Sequence, residues 1–160
     1  CSRRDEDHIH AIVAPYLLSS SHPLYSVNDV FNAIFVHGNV LGDAMFYGSG
    51  AGKLPTASAV VADVVDCAKN KGRNIMMSWS EEKLDLLQID DVKSRFFVRV
   101  SGHAAERQSE IEELFGKVEI VAVPSLSEEF AFITGEITEQ EYREKAEKLD
   151  GIQSRIRARI

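Results

Sequence analysis

Three glycines alternate along one short stretch of the chain, at Gly48, Gly50 and Gly52, between an apolar run and a segment with helical spacing. A residue without Cβ tolerates positive φ and lets another molecule come close to its backbone. The helix that follows such a turn aims its unpaired N–H groups and the positive end of its dipole back at it. The arrangement suits a phosphate, or one end of a nucleotide.

Two familiar phosphate motifs do not fit. A P-loop needs Gly and Ser or Thr where this chain has Tyr47 and Leu54,. The dinucleotide fingerprint needs a glycine where Lys53 stands, and no acidic residue closes a second strand about twenty positions on,. The alternative is a strand–turn–helix corner whose glycines only permit tight packing. Both readings stay open on spacing alone.

Other reactive side chains are scattered. His8 and His10 flank Ile9 and would share a strand face, but no third metal ligand lies nearby in sequence,. His22, His37 and His103 read as surface or loop residues. Cys67, beside an apolar stripe, is expected to be a buried and inert thiol,. Asn28 and Asn32 would share a strand face and satisfy backbone groups. Arg155, Arg157 and Arg159 alternate with Ile156, Ala158 and Ile160,. That row could hold an anion, or form a solvated face balanced by Glu128 and Glu129,. There is no Ser-His-Asp set, carboxylate pair or CxxC.

The elements that must position these residues follow from pattern. At 160 residues, 44% hydrophobic and 27% charged, the chain can build a real core,. A net charge of −7 disfavours nucleic acid and anionic membranes as partners,. No apolar run is long enough to span a bilayer and no signal peptide is visible,. Cys1 and Cys67 are too few for a disulfide framework, which fits a cytoplasmic location,. The opening Cys-Ser-Arg-Arg, with no Met, suggests a piece of a longer protein.

The spacing predicts a strand in HIHAIVAPYLL stopped by Pro15, a loop at Ser19–Pro23, and a strand from Val27 to His37,. Gly38-Asn39 reads as a hairpin turn before VLGDAMFYG,. Pro55 and Thr56 start a helix whose stripe is Ala57, Val60, Val61, Val64, Val65 and Ala68,. Residues 79–94 read as a polar connector carrying Trp79. Beyond it come strands at 95–101, 118–123, 130–137 and 154–160, and helices at 106–115 and 139–149. That order, β-α-β-β-α-β, is the ferredoxin-like plan.

The run SVNDVFNAIFVHGN, the following GDAMFYGSGAGKLPTASAVVADVVD and the β-α-β-β-α-β tail together resemble the C-terminal part of homoserine dehydrogenase. The resemblance implies an α+β chain in three parts. Residues 1–78 would end a mixed-sheet catalytic and dimerisation domain, 79–94 connect, and 95–160 form an ACT-like regulatory domain. Gly48, Gly50, Ala51 and Gly52 would then line the crevice for NADP or NAD, with Gly50 against the nicotinamide half. The helix from Thr56 to Lys69 would pack on a nucleotide-binding domain earlier in the same chain.

The implied reaction interconverts L-aspartate 4-semialdehyde and L-homoserine, a step toward threonine, methionine and isoleucine. No residue of this chain matches the family's catalytic lysine or substrate acids, so the chain alone is expected to be inactive. Its partners would be further copies of itself, most simply in a dimer, and the nucleotide-binding domain. The ACT-type turn is expected to carry Pro-Gly. Here it reads Ser101-Gly102-His103-Ala104-Ala105-Glu106-Arg107, which argues against control by threonine. A stand-alone ACT-type amino-acid-binding or assembly protein is the rival reading.

Overall fold

The computed structural model describes residues 1–4, 8–73 and 76–159. The chain begins with strands β1 (Ser2–Arg4), β2 (His8–Ala11) and β3 (Tyr16–Leu18). Next come β4 (Phe31–Gly38), β5 (Gly42–Ser49) and helix α1 (Lys53–Lys69). Then β6 (Asp85–Leu86) and β7 (Lys93–Ser101) lead to α2 (Ala104–Phe115). The chain continues through β8 (Glu119–Val121), β9 (Glu129–Ile133), β10 (Ile137–Thr138), α3 (Glu139–Ala146) and β11 (Ile152–Arg159). Two compact units result, one of residues 1–18 with 83–160 and the other of residues 19–82.

In the first unit the main sheet runs in the order β3-β11-β7-β9-β8, with β10 paired to the start of β7. The four strands β11, β7, β9 and β8 are antiparallel neighbours. Only β3 is parallel to its neighbour, with Tyr16 opposite Arg157 and Leu18 opposite Arg159. Pro15 thus separates two strands rather than ending one. It cannot donate to a ladder, and β2 instead pairs with β1 and β6 in a small separate sheet,.

Alternation along β7 and β9 makes the core. Phe96, Val98 and Val100 face the same side as Phe130 and Phe132, their register partners or diagonal neighbours,. Ile111 and Phe115 of α2, Tyr142 of α3 and Leu149 join them in one buried cluster. The Phe96 and Tyr142 rings lie 4.5 Å apart, and the Phe115 and Phe132 rings 5.2 Å. Such pairs add about 1 kcal/mol each beyond area burial. Thr134, fully buried, accepts from Phe96 N at 2.9 Å and donates to Gly135 O at 2.8 Å. That side-chain bond replaces a ladder bond where the expected 130–137 strand breaks into β9 and β10.

The polar stretch read as a connector is more ordered than its composition suggests. It holds β6, a 3-10 turn at Ile89–Asp91 and the first residues of β7. Arg143 of α3 is ion-paired to Asp90 in that turn, which raises the arginine's pKa through the hydrogen bond and charge of the aspartate. Ile160, expected on the apolar face of the last strand, lies outside the described residues.

The second unit is a hairpin followed by a helix. β4 and β5 pair from Phe31 with Ser49 to Gly38 with Gly42, so the connecting loop is Asn39 to Leu41, longer than the expected two-residue turn. β4 starts later than predicted because Asn28 to Val30 form a turn. Asp29 takes φ 56° there, and Phe31 N donates to Asn28 O at 3.2 Å. Asn28 and Asn32 therefore do not share a strand face. His22 accepts at Nδ1 from Leu24 N at 3.2 Å and packs edge-on to Phe35, which gives this loop histidine a capping role.

Candidate functional site

β5 delivers the chain to the glycine turn and α1 takes it away. Residues 48–52 are all exposed. Gly52 occupies the N-cap position of α1 with φ 116° and ψ 156°, a backbone conformation that favours glycine,. It supplies no side-chain cap, and the helix has no acidic residue in its first turn. Its carbonyl accepts from Thr56 N at 3.1 Å. Pro55, inside the first turn, has no N–H to satisfy,. The N–H groups of Lys53 and Leu54 take no backbone acceptor among the described residues,. The uncompensated dipole end, the free N–H groups and the exposed turn lie together, an arrangement that fits an anionic ligand.

The glycines differ in what surrounds them. A Cβ at Gly48 would meet nothing within 4 Å. A Cβ at Gly50 would meet the Asn32 side chain, at 2.6 Å from Nδ2. Tight internal packing therefore accounts for glycine at 50 and not at 48, where a strand glycine costs stability without a contact to justify it.

Helix α1 buries none of its residues. Val60, Val61, Val64 and Val65, the expected stripe, are 56, 60, 62 and 44% exposed. Cys67 is exposed as well, not buried, because the face expected to cover it has no neighbour here. Most helical stability in proteins comes from packing an amphipathic face, which α1 does not bury here,. The hairpin shows the same open character, with Ile34, Phe46 and Tyr47 exposed and Phe31 stacked on Tyr47 at 4.9 Å. Its far end is tied by His37 Nδ1 to Asp43 Oδ1 at 2.5 Å.

The remaining candidates are structural. His8 and His10 sit in β2, and no group of His, Cys, Asp or Glu among the described residues could hold a metal. Burial first, then the N-terminal amine, Arg3 and Arg157, hold the His10 pKa below its usual value. The arginine row of β11 is not balanced by Glu128 and Glu129. Arg155 and Arg157 both pair with Glu139, which is 4% exposed, while Glu129 pairs with Arg99. Arg155 also lies over the Phe96 and Tyr142 rings, at 5.2 and 4.7 Å. Helix α3 begins at Glu139, which brings a carboxylate onto the sheet face where those arginines project; composition gave no sign of that pairing.

Arg107 fills the turn between β7 and α2. It donates to Ser101 O at 3.0 Å and to Glu110 Oε2 from Nε and Nη2, and its Cδ stands 3.2 Å from where a Gly102 Cβ would be. Sequence reasoning passed over Glu139 as an ion-pair partner, and named Asn32 and Arg107 without the contacts they make here.

Comparison with known proteins bears on the turn directly. The model of the family described as homoserine dehydrogenase matches residues 3–65, which include it. The homoserine dehydrogenase of Lactococcus lactis is 42% identical over 98 residues, 59% of this chain and 23% of that protein. That of Corynebacterium glutamicum is 62% identical over 63 residues, 39% of this chain and 14% of that protein. A crystal structure of a homoserine dehydrogenase from Thiobacillus denitrificans superposes with TM-score 0.76 at 25% identity, covering 99% of this chain and 41% of that one. One from S. aureus gives 0.65 at 25% identity, covering 91% of this chain and 37% of its own. The chain thus spans less than a quarter of the length of these curated relatives. Over residues 3–65 by sequence, and over nearly its whole length by fold, this chain is similar to one part of homoserine dehydrogenase.

Proposed function

We propose that these residues serve a homoserine dehydrogenase that interconverts L-aspartate 4-semialdehyde and L-homoserine with NADP or NAD. The observation that carries the reading is the exposed turn at residues 48–52, set between β5 and the uncapped N-terminus of α1. Gly48, Gly50, Ala51 and Gly52 offer backbone atoms, and Gly48 leaves open the space that a ligand could enter. A bound nicotinamide would supply or accept the hydride. The chain's own part is to present unspent N–H groups, to keep side chains out of the crevice and to give its edge a fixed shape. The bare valine stripe of α1 supports docking of that helix on a nucleotide-binding domain of the same polypeptide.

For the first unit, the reading is an ACT-like regulatory or oligomerisation domain at residues 95–160. Its support is the strand and helix order of β7, α2, β8, β9, α3 and β11. Arg107, occupying the turn where an amino-acid effector would be held, favours assembly over effector binding. β8 ends the sheet with one side unpaired among the described strands, an edge that a second copy could extend,.

The test is spectrophotometric. The full-length protein carrying these residues, mixed with NADPH and aspartate semialdehyde, should consume nicotinamide absorbance, and the 160-residue chain alone should not. Turnover by the short chain would overthrow the division of labour proposed here. Saturable amino-acid binding with no cofactor interaction in the full-length protein would favour the stand-alone sensor instead.

A further inference from the structure

Asn32 lies in β4 directly opposite Gly48 of β5. Its side chain stands beside the turn, so that a Cβ on Gly50 would lie 2.6 Å from its Nδ2, 3.0 Å from its Cγ and 3.2 Å from its Cβ. Gly50 is not among the glycines at positive φ, so its backbone does not itself demand glycine. The carboxamide instead competes for the room a side chain would need, so that one of the two would have to move. No hydrogen bond among the described residues spends that carboxamide, so its contact with Gly50 is one of packing.

We infer that Asn32 is a positioning residue: its carboxamide props the Gly50 peptide and so sets the path of the backbone into the N-terminus of α1. This deepens, and rests on, the reading of the turn as a nicotinamide dinucleotide site. Asn32 acts through Gly50 rather than on the reacting atoms. A turn that loses its prop keeps its N–H groups but no longer holds them in one geometry, and a displacement of about 1 Å at such a site can cost as much as ~100-fold.

The experiment is a double-mutant cycle in the full-length protein, read by NADPH titration and by steady-state kinetics. Asn32→Ala should raise the Kd and KM for NADPH about tenfold while the KM for aspartate semialdehyde and the melting temperature hold. Gly50→Ala should cost about tenfold or more in the native background, through the clash with Asn32, and less than about threefold once Asn32 is alanine. A Gly50→Ala penalty of equal size in both backgrounds would mean that the ligand, not Asn32, requires glycine, and would overturn the inference. A loss of melting temperature with all kinetic constants falling together would overturn it too, by making Asn32 a fold residue. Failure of the unaltered protein to bind NADPH is a different result, and would remove the reading of the turn itself.

Discussion

Glu139 shows how much a single side chain can settle. It is buried, and two arginines from β11 converge on it, one of them stacked on the core rings of Phe96 and Tyr142. Removing the carboxylate leaves Arg157, mostly buried, without its counter-charge. Glu139→Gln should therefore lower the stability of the first unit by about 3 kcal/mol, measured by urea unfolding. A change under about 0.5 kcal/mol would mean the pair merely offsets its own desolvation. Cys67 makes a second residue-scale prediction. Exposed on α1, it should react with a thiol reagent in the native 160-residue chain as fast as in the denatured one,. The glycine turn was legible from the residues because glycine spacing is local. The contacts of Asn32 and Glu139 were not, since each meets its target through strand pairing or helix placement that no local spacing encodes.

Elements of the C-terminal half were read well, and for a physical reason. β7, α2 and α3 bury one face each, so burial imprints a clean period on the sequence, while β9, buried on both faces, reads as an unbroken apolar run,. A capping box, not read from the sequence, fixes the start of α3. Thr138 Oγ1 accepts from Glu141 N at 3.0 Å, and Glu141 Oε2 accepts from Thr138 N at 2.8 Å,. Thr138→Ala should cost about 1 kcal/mol of stability. The same bond to the Thr138 backbone lowers the pKa of Glu141. A depressed folded pKa gives stability that is present above the ordinary carboxylate range and lost as pH falls through the folded value. Glu141→Gln should accordingly flatten the acid limb of the stability curve, and an unchanged limb would rule the contribution out. Boundaries in the first half were harder. α1 has the helical period but nothing to bury it against here, so the stripe predicted a neighbour that these residues do not supply.

At the scale of the whole molecule, the two compact units do not follow the sequence in order. The expected boundaries at 78 and 95 follow composition, whereas backbone contact groups residues 1–18 with 83–160. The short strands β2 and β3 tie the two segments together by pairing with β6 and β11, and strands of three or four residues carry too little pattern to announce a long-range partner. The second unit, with a bare valine stripe and an exposed hairpin, should make the isolated chain bind the dye ANS, and that fluorescence should fall sharply in the full-length protein,. Equal binding by both would argue that α1 and the hairpin are never covered.

The parallel seam between β3 and β11 has a consequence for biogenesis. It joins Tyr16–Leu18 to Arg157–Arg159, so closing it draws together segments about 140 residues apart along the chain,. Loop-closure entropy opposes such a distant pairing, and a nascent polypeptide emerging from a ribosome must hold β3 unmated until β11 is made.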